Sequence, residues 1–357
     1  VDLFAARFFI GIGEAGCLVI GPTLIADYFT KQVRGRALSI FFLGVPLGGT
    51  AGYIVAGLVT KYWGPWRHAF YFAGLPGLVL AVFIALLIDP PRGGDDATAA
   101  DGRIHGIKPY LDLLRNRTLL LIILAQAFAV IILVPLLHFG VGFFEDKHKM
   151  SKEDATVTLG VIALIAGALG NSLSGVIGDR LARRRKGAYA FLAGIAYLVG
   201  LPCLLFGLTT PSKQLMLPAL TLGAFCLFLS MPAVNTQIAN CVSAKQRAMA
   251  YALAVFILHL LGDTAAPPVF GKVAEALSEK PAASASAAAH ESGKAEETAP
   301  SHRAGDPIGT QRAFAYFSFS LLLASACCFL AARTAWRDEE LAAADSSGEP
   351  APTPGLH

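Results

Sequence analysis

The 357 residues predict an all-α, polytopic membrane fold, and three observations carry that prediction. Hydrophobic residues make up 55% of the chain and charged residues 15%, where a soluble domain carries about 25% charged residues. The mean hydropathy is +0.57. The apolar residues come in blocks of roughly 20, the length at which a helix crosses a hydrocarbon core. The six cysteines (Cys17, Cys203, Cys226, Cys241, Cys327 and Cys328) all fall inside these blocks with no CxxC pair. They read as small buried hydrophobes rather than disulfides or a metal site.

The blocks place nine spans at about 3–29, 37–60, 68–89, 118–144, 155–178, 187–209, 214–240, 248–275 and 311–333. The first carries Arg7 and Glu14 inside its apolar run, seven residues apart. That spacing is nearly two helical turns, so both side chains share one face, about 10 Å apart along the axis. The second holds Gly44, Pro46, Gly48, Gly49 and Gly52. Small residues at this spacing allow tight helix packing, and Pro46 frees a backbone carbonyl and lets the helix bend. Residues 1–89 form a first unit, and the polar stretch 90–117 reads as a linker. A second unit of six spans covers 118–337. The chain's fourth span holds Gln126 and His138, the fifth Asn171, and the seventh Asn235, Gln237 and Asn240. The eighth holds His259 and Asp263, four apart and within reach of each other on a helix, followed by Pro267, Pro268 and Gly271. Residues 278–308 and the tail 338–357 lack apolar periodicity and are expected to be disordered.

Lys and Arg in short loops set orientation. With the C-terminus in the cytoplasm, 17 of them fall on the cytoplasmic side and 6 on the other. Nine spans then put Val1 outside, and three further helices ahead of it would bring both ends inside. An internal echo points to the same duplication. RGRALSI around Arg36 resembles KQRAMAY around Arg247 at an offset of 211, and Leu47 to Ala51 resembles Leu261 to Ala265 at an offset of 214. Similar elements in the same orientation suggest two parallel halves.

Charge inside a span is costly, so Arg7 and Glu14 are candidates for a proton or substrate site, with a buried structural ion pair as the alternative. His259 and Asp263 are a second candidate polar site, with Asn235 and His138 as further cavity candidates; ordinary contacts between packed helices are the alternative for each. After the fifth span the chain reads Gly175-Val-Ile-Gly178-Asp179-Arg180-Leu-Ala-Arg183-Arg184-Arg185-Lys186. The glycines allow close approach, Asp179 can accept from a helix N-terminus or an Arg, and the basic run holds the loop at an anionic surface. This loop is expected to pack at the cytoplasmic ends of the fifth, sixth and eighth spans.

The order GxxGDRxxRR(R/K), with Gly175, Gly178, Asp179, Arg180 and Arg183, resembles the loop signature of the major facilitator superfamily, where it works as a conformational latch. RFFIGIGEAG, PTLIADYFTKQVRGRALSIFFLGVPLGGTAGY and PAVNTQIANCVSAKQRAMAYALAVFILHLLGDTAAPPVFG together resemble its Spinster branch. The resemblance implies a twelve-helix fold, of which this chain holds helices four to twelve. It implies proton-coupled transport of lysophospholipids or sphingoid phosphates, with Arg7 and Glu14 at the family's fourth-helix Arg and Glu. Ala266 stands where the branch usually has Ser, and the 278–308 insertion departs from its pattern.

The leading function is therefore a secondary active transporter of an amphipathic organic anion. The alternatives are a carrier for a small organic anion or drug, and a non-transporting membrane sensor on the same scaffold. No nucleotide loop, metal-ligand spacing or supported nucleophile–base pair is found, so neither an enzyme nor a cofactor is expected, protons being the coupling ion. The basic residues flank spans, which argues against a nucleic-acid partner. The expected setting is a monomer in the plasma (bacterial inner) membrane.

Overall fold

The computed structural model describes residues 2–63, 65, 67–86, 113–278 and 306–347, and among them all regular structure is helical. The helices are α1 (Asp2–Tyr28), α2 (Arg34–Trp63), α3 (Arg67–Ala85), α4 (Arg117–His148), α5 (Lys152–Ala182), α6 (Ala188–Thr209), α7 (Lys213–Asn240), α8 (Arg247–Leu258), α9 (Ala266–Ala276), α10 (Pro307–Ser318) and α11 (Ser320–Ser347). A π-helical turn, His259–Ala265, joins α8 to α9. Side-chain caps start several of them: Asn116 accepts from the Leu119 amide at 2.9 Å, Ser151 from Asp154 at 3.1 Å, and Asp306 from Gly309 at 2.6 Å. Each satisfies an amide that the first helical turn leaves without a partner.

Eight of these stretches are long and apolar enough to cross a membrane by length and composition, namely α1, α3, α4, α5, α6, α7, α8 with α9, and α10 with α11. The Gly-rich α2 is a further helix of 30 residues. Together they occupy the nine expected spans.

The buried core lies mainly among α4 to α11, with Ile122, Phe143, Tyr197, Leu204, Phe270 and Phe314 all inside it. None of the described residues of α3 is buried. The glycines of α2 correct an expectation: a Cβ on Gly44, Gly48, Gly49 or Gly52 would meet nothing within 4 Å among the described residues. The close contacts of α2 are made instead at its basic end and around Pro46.

The tail is also corrected. Residues 338–347 are not disordered but continue α11 as helix to Ser347. AWRDEELAAA is rich in Ala, Glu and Leu, which favour helix without an apolar stripe. Glu339 accepts from the Gln237 side chain at 2.8 Å, and Glu340 pairs with Lys186. Residues 279–305 of the loop expected at 278–308, residues 90–112 of the linker 90–117, and residues 348–357 lie outside the described residues.

The loops that carry most of the basic residues meet at one end of the bundle. Arg247 reaches Asp27, Arg36 reaches Asp179, Asn116 reaches the Cys241 carbonyl and Gln237 reaches Glu339. At the opposite end, Lys147 donates to the Leu208 carbonyl.

Candidate functional site

The turn between α5 and α6 is built on close approach. Gly187 has φ of 65°, a left-handed conformation that glycine adopts without steric cost. A Cβ there would lie 2.7 Å from the Ala332 carbonyl oxygen, so α11 runs directly against the turn. On α5, a Cβ on Gly175 would lie 2.6 Å from the Arg36 Cα, and one on Gly178 would enter the Tyr189 ring. These two glycines let α2 and α6 approach α5 on either side of Asp179.

Asp179 is 2% exposed. The Tyr189 hydroxyl donates to its Oδ1 at 2.6 Å, Arg36 Nε lies 3.1 Å from its Oδ2, and the amides of Gly35 and Arg36 donate to the carboxylate. The carboxylate therefore sits at the N-terminus of α2, where the helix dipole and the unpaired amides favour an anion. Sequence expectation puts the eighth span beside this loop; the hydrogen-bonding partners are on α2 and α6 instead. Arg180 and Arg183 are exposed. Arg183 lines a cavity of about 230 Å³ together with Lys31, Asp179, Tyr189 and Glu339.

Beside this latch lies a pair of buried arginines related by an approximate two-fold exchange. Arg34 donates to the Ala26 carbonyl at 2.8 Å and to Asn240 Oδ1 at 2.9 Å. Arg247 donates to the Ala239 carbonyl at 3.3 Å and to Asp27 Oδ1 at 3.0 Å. Each arginine thus binds a carbonyl at the end of its own preceding helix, and a side chain on the opposite unit. The pairs Ala26/Ala239, Asp27/Asn240 and Arg34/Arg247 all differ by 213 residues. This corrects the offset of 211, which matched Arg36 to Arg247. The repeat becomes 214 at Gly48/Gly262 and Thr50/Thr264. One extra residue therefore enters the second unit before Gly262. The π-helical turn at His259–Ala265 is the local form such an insertion takes.

His259 and Asp263, both on that turn, are brought together, His259 Nδ1 against Asp263 Oδ2, with each side chain part-exposed. Gly262 between them packs on Val130 of α4. Two cavity candidates are bound to their own helices. Asn235 is 6% exposed and its amide donates to the Met231 carbonyl one turn back on α7. His138 Nδ1 lies 3.0 Å from the Val134 carbonyl oxygen, and its ring is exposed. Glu14 stands on an exposed face of α1, while the Arg7 side chain lies outside the described residues. Sequence reasoning missed the pairing of Asp27 with Arg247 and of Arg34 with Asn240. Aligning the two units at 213 would have found both.

Residues 3–267 match the family model of the Major Facilitator Superfamily. "Protein spinster" of Drosophila melanogaster is 28% identical over 285 residues, covering 76% of this chain and 47% of that protein. "Sphingosine-1-phosphate transporter SPNS2" of Danio rerio is 27% identical over 301 residues, covering 79% and 59%. The chain thus spans about half the length of the curated relatives it matches. Among solved structures, a bacterial homolog of the human lysosomal transporter Spinster, in an inward-facing and unoccupied conformation, superposes with a TM-score of 0.60 at 21% identity, covering 94% of this chain and 78% of that one. The proton:xylose symporter XylE superposes at 0.59 with 15% identity, covering 90% and 67%. With its family match and a helical bundle that repeats across two units, the chain belongs to the major facilitator superfamily, and within it is similar to the spinster proteins.

Proposed function

We propose that this chain is part of a secondary active transporter that moves an amphipathic organic anion, of the lysophospholipid or sphingoid-phosphate class, by alternating access with protons as the coupling ion. The crosswise arginine pair carries the reading. Alternating access needs two similar units that can part at one end and meet at the other. Here two repeated units are fastened at the basic end through Arg34, Arg247, Asp27 and Asn240. The Asp179 contact adds a second fastening. The excess of Lys and Arg in its loops supports a cytoplasmic position for this end, in the plasma (bacterial inner) membrane. Similarity to the zebrafish sphingosine-1-phosphate transporter supports the substrate class.

Glu14 is the proposed proton carrier. A carboxylate in a cavity that opens to each side in turn can take up a proton on one side and release it on the other. Arg7, on the same face of α1, competes with that proton and can hold an anionic headgroup. The test is uptake of a labelled lysolipid into proteoliposomes. Glu14→Gln should abolish uptake driven by a pH gradient while leaving exchange at equal pH. A Gln variant that still responds fully to the gradient removes Glu14 from the mechanism and turns attention to His259 and Asp263.

A further inference from the structure

Midway along the contact between α2 and α5 is a hydrogen bond that the first unit alone does not make. Pro46 has no N–H, so the Phe42 carbonyl, four residues earlier in α2, loses its helical donor. Asn171 of α5 supplies the missing donor: its Nδ2 lies 2.9 Å from the Phe42 oxygen, in a buried position. Asn171 itself is 0% exposed. The helices are close enough for this because Gly167, one turn earlier on α5, faces the proline; a Cβ there would lie 2.5 Å from the Pro46 Cβ. Gly170 does the same toward α7, where a Cβ would lie 2.7 Å from the Phe225 carbonyl oxygen. The amide of Asn171 is therefore pinned from both sides onto a carbonyl of the other unit.

The rest of this seam is under-satisfied. Asn171 Oδ1, Ser174 Oγ and Ser39 Oγ are buried without a hydrogen-bond partner among the described residues. Polar atoms left in that condition destabilise the packed arrangement, and water entering between α2 and α5 would satisfy them. The Asn171 donor and the three unpartnered oxygens thus act in opposite directions on the same contact.

We propose that Asn171 is a positioning residue that sets the balance between the closed and open states of the basic end, by donating to the carbonyl that Pro46 leaves without a partner. The proposal rests on the alternating-access reading. It gives the Pro46 site a role in coupling the units in addition to bending α2.

A double-mutant cycle tests it. Spin labels at the exposed positions Gln32 and Arg184 report the separation of the α1–α2 connection from the α5–α6 turn, with the protein in lipid nanodiscs. Asn171→Ala should lower the closed population by about three- to tenfold, the range of a hydrogen bond between membrane helices. Pro46→Ala restores the α2 amide that pairs with the Phe42 carbonyl, so in that background Asn171→Ala should have no such effect. Ser39→Ala and Ser174→Ala remove unpartnered oxygens and should raise the closed population. Additive effects of Asn171→Ala and Pro46→Ala, or an unchanged closed population in Asn171→Ala, overturn the proposal while two populations persist and the transporter reading stands. A single closed population in every variant overturns the alternating-access reading along with it.

Discussion

Gly175→Ala is the sharpest probe of the closed basic end. The added Cβ would lie 2.6 Å from the Arg36 Cα, 2.6 Å from the Ser39 Oγ and 2.7 Å from the Gly35 carbonyl oxygen. Non-bonded carbons rest at about 3.5–4.0 Å, so α2 and α5 must part by about 1 Å at this point. Two of the three obstructing atoms are backbone and the third ends a short side chain, so no flexible group can absorb the shift. Overpacking of this kind costs about 1–3 kcal/mol, which lowers the closed population by roughly five- to hundredfold. The same labels at Gln32 and Arg184 read the result by pulsed electron resonance. Gly160→Ala on the same helix is the control, because a Cβ there meets nothing within 4 Å. An unchanged distance distribution in Gly175→Ala, or an equal shift in Gly160→Ala, refutes the assignment of this contact as the closing surface.

Three other outcomes follow from the same end of the molecule. Asp179→Asn keeps the shape but removes the negative charge from the α2 N-terminus and from Arg36, so it should slow the transport cycle while substrate binding, measured by equilibrium dialysis, stays near normal; parallel loss of both would contradict a latch. The twin arginines should be unequal despite their matching geometry. Arg247→Leu takes a cation from beside the Asp27 carboxylate and should cost about 3–5 kcal/mol, whereas Arg34→Leu takes donors from the Asn240 side-chain amide and the Ala26 carbonyl, about 1–3 kcal/mol. Thermal unfolding in detergent should rank them in that order, and Asp27→Asn should bring them together. Glu339→Ala removes a carboxylate that accepts the Gly187 amide at the start of α6, and should lower stability by about 1 kcal/mol, seen as a reduced unfolding midpoint.

Much of this was legible in the sequence because hydrophobic blocks and glycine–acid–base strings report local needs. The span positions follow from apolar length. The loops later found together were already marked by their Arg and Lys content. The Asp179 string announced an acid held close to a helix end. What the string could not announce is whose end it was, since spacing within α5 says nothing of which helix lies beside it. The offset of 211 pairs Arg36 with Arg247 because their flanking strings look alike; the true partner, Arg34, is distinguished by burial and by its carbonyl contact eight residues back. The stretch after Arg337 lacks an apolar stripe, so periodicity alone gives no sign of helix, although Glu339 and Ala342 each find places against the protein. Asn171 takes its meaning from a fact that spacing within α5 does not carry, that Pro46 lies across from it.

The π-helical turn at His259–Ala265 also governs aim. One residue added to a helix rotates everything beyond it by about 100° relative to an uninterrupted copy. Phe270, five residues past the turn, stacks on Phe139 of α4 with ring centroids 5.1 Å apart, and meets Phe314 at 4.6 Å and Phe317 at 5.1 Å on α10. Without the inserted residue the Phe270 ring would swing about a quarter-turn off that aromatic cluster. The two units therefore share one pattern through the arginines and, shifted by one residue, beyond them, and in the second unit that shift seats Phe270 on α4 and α10.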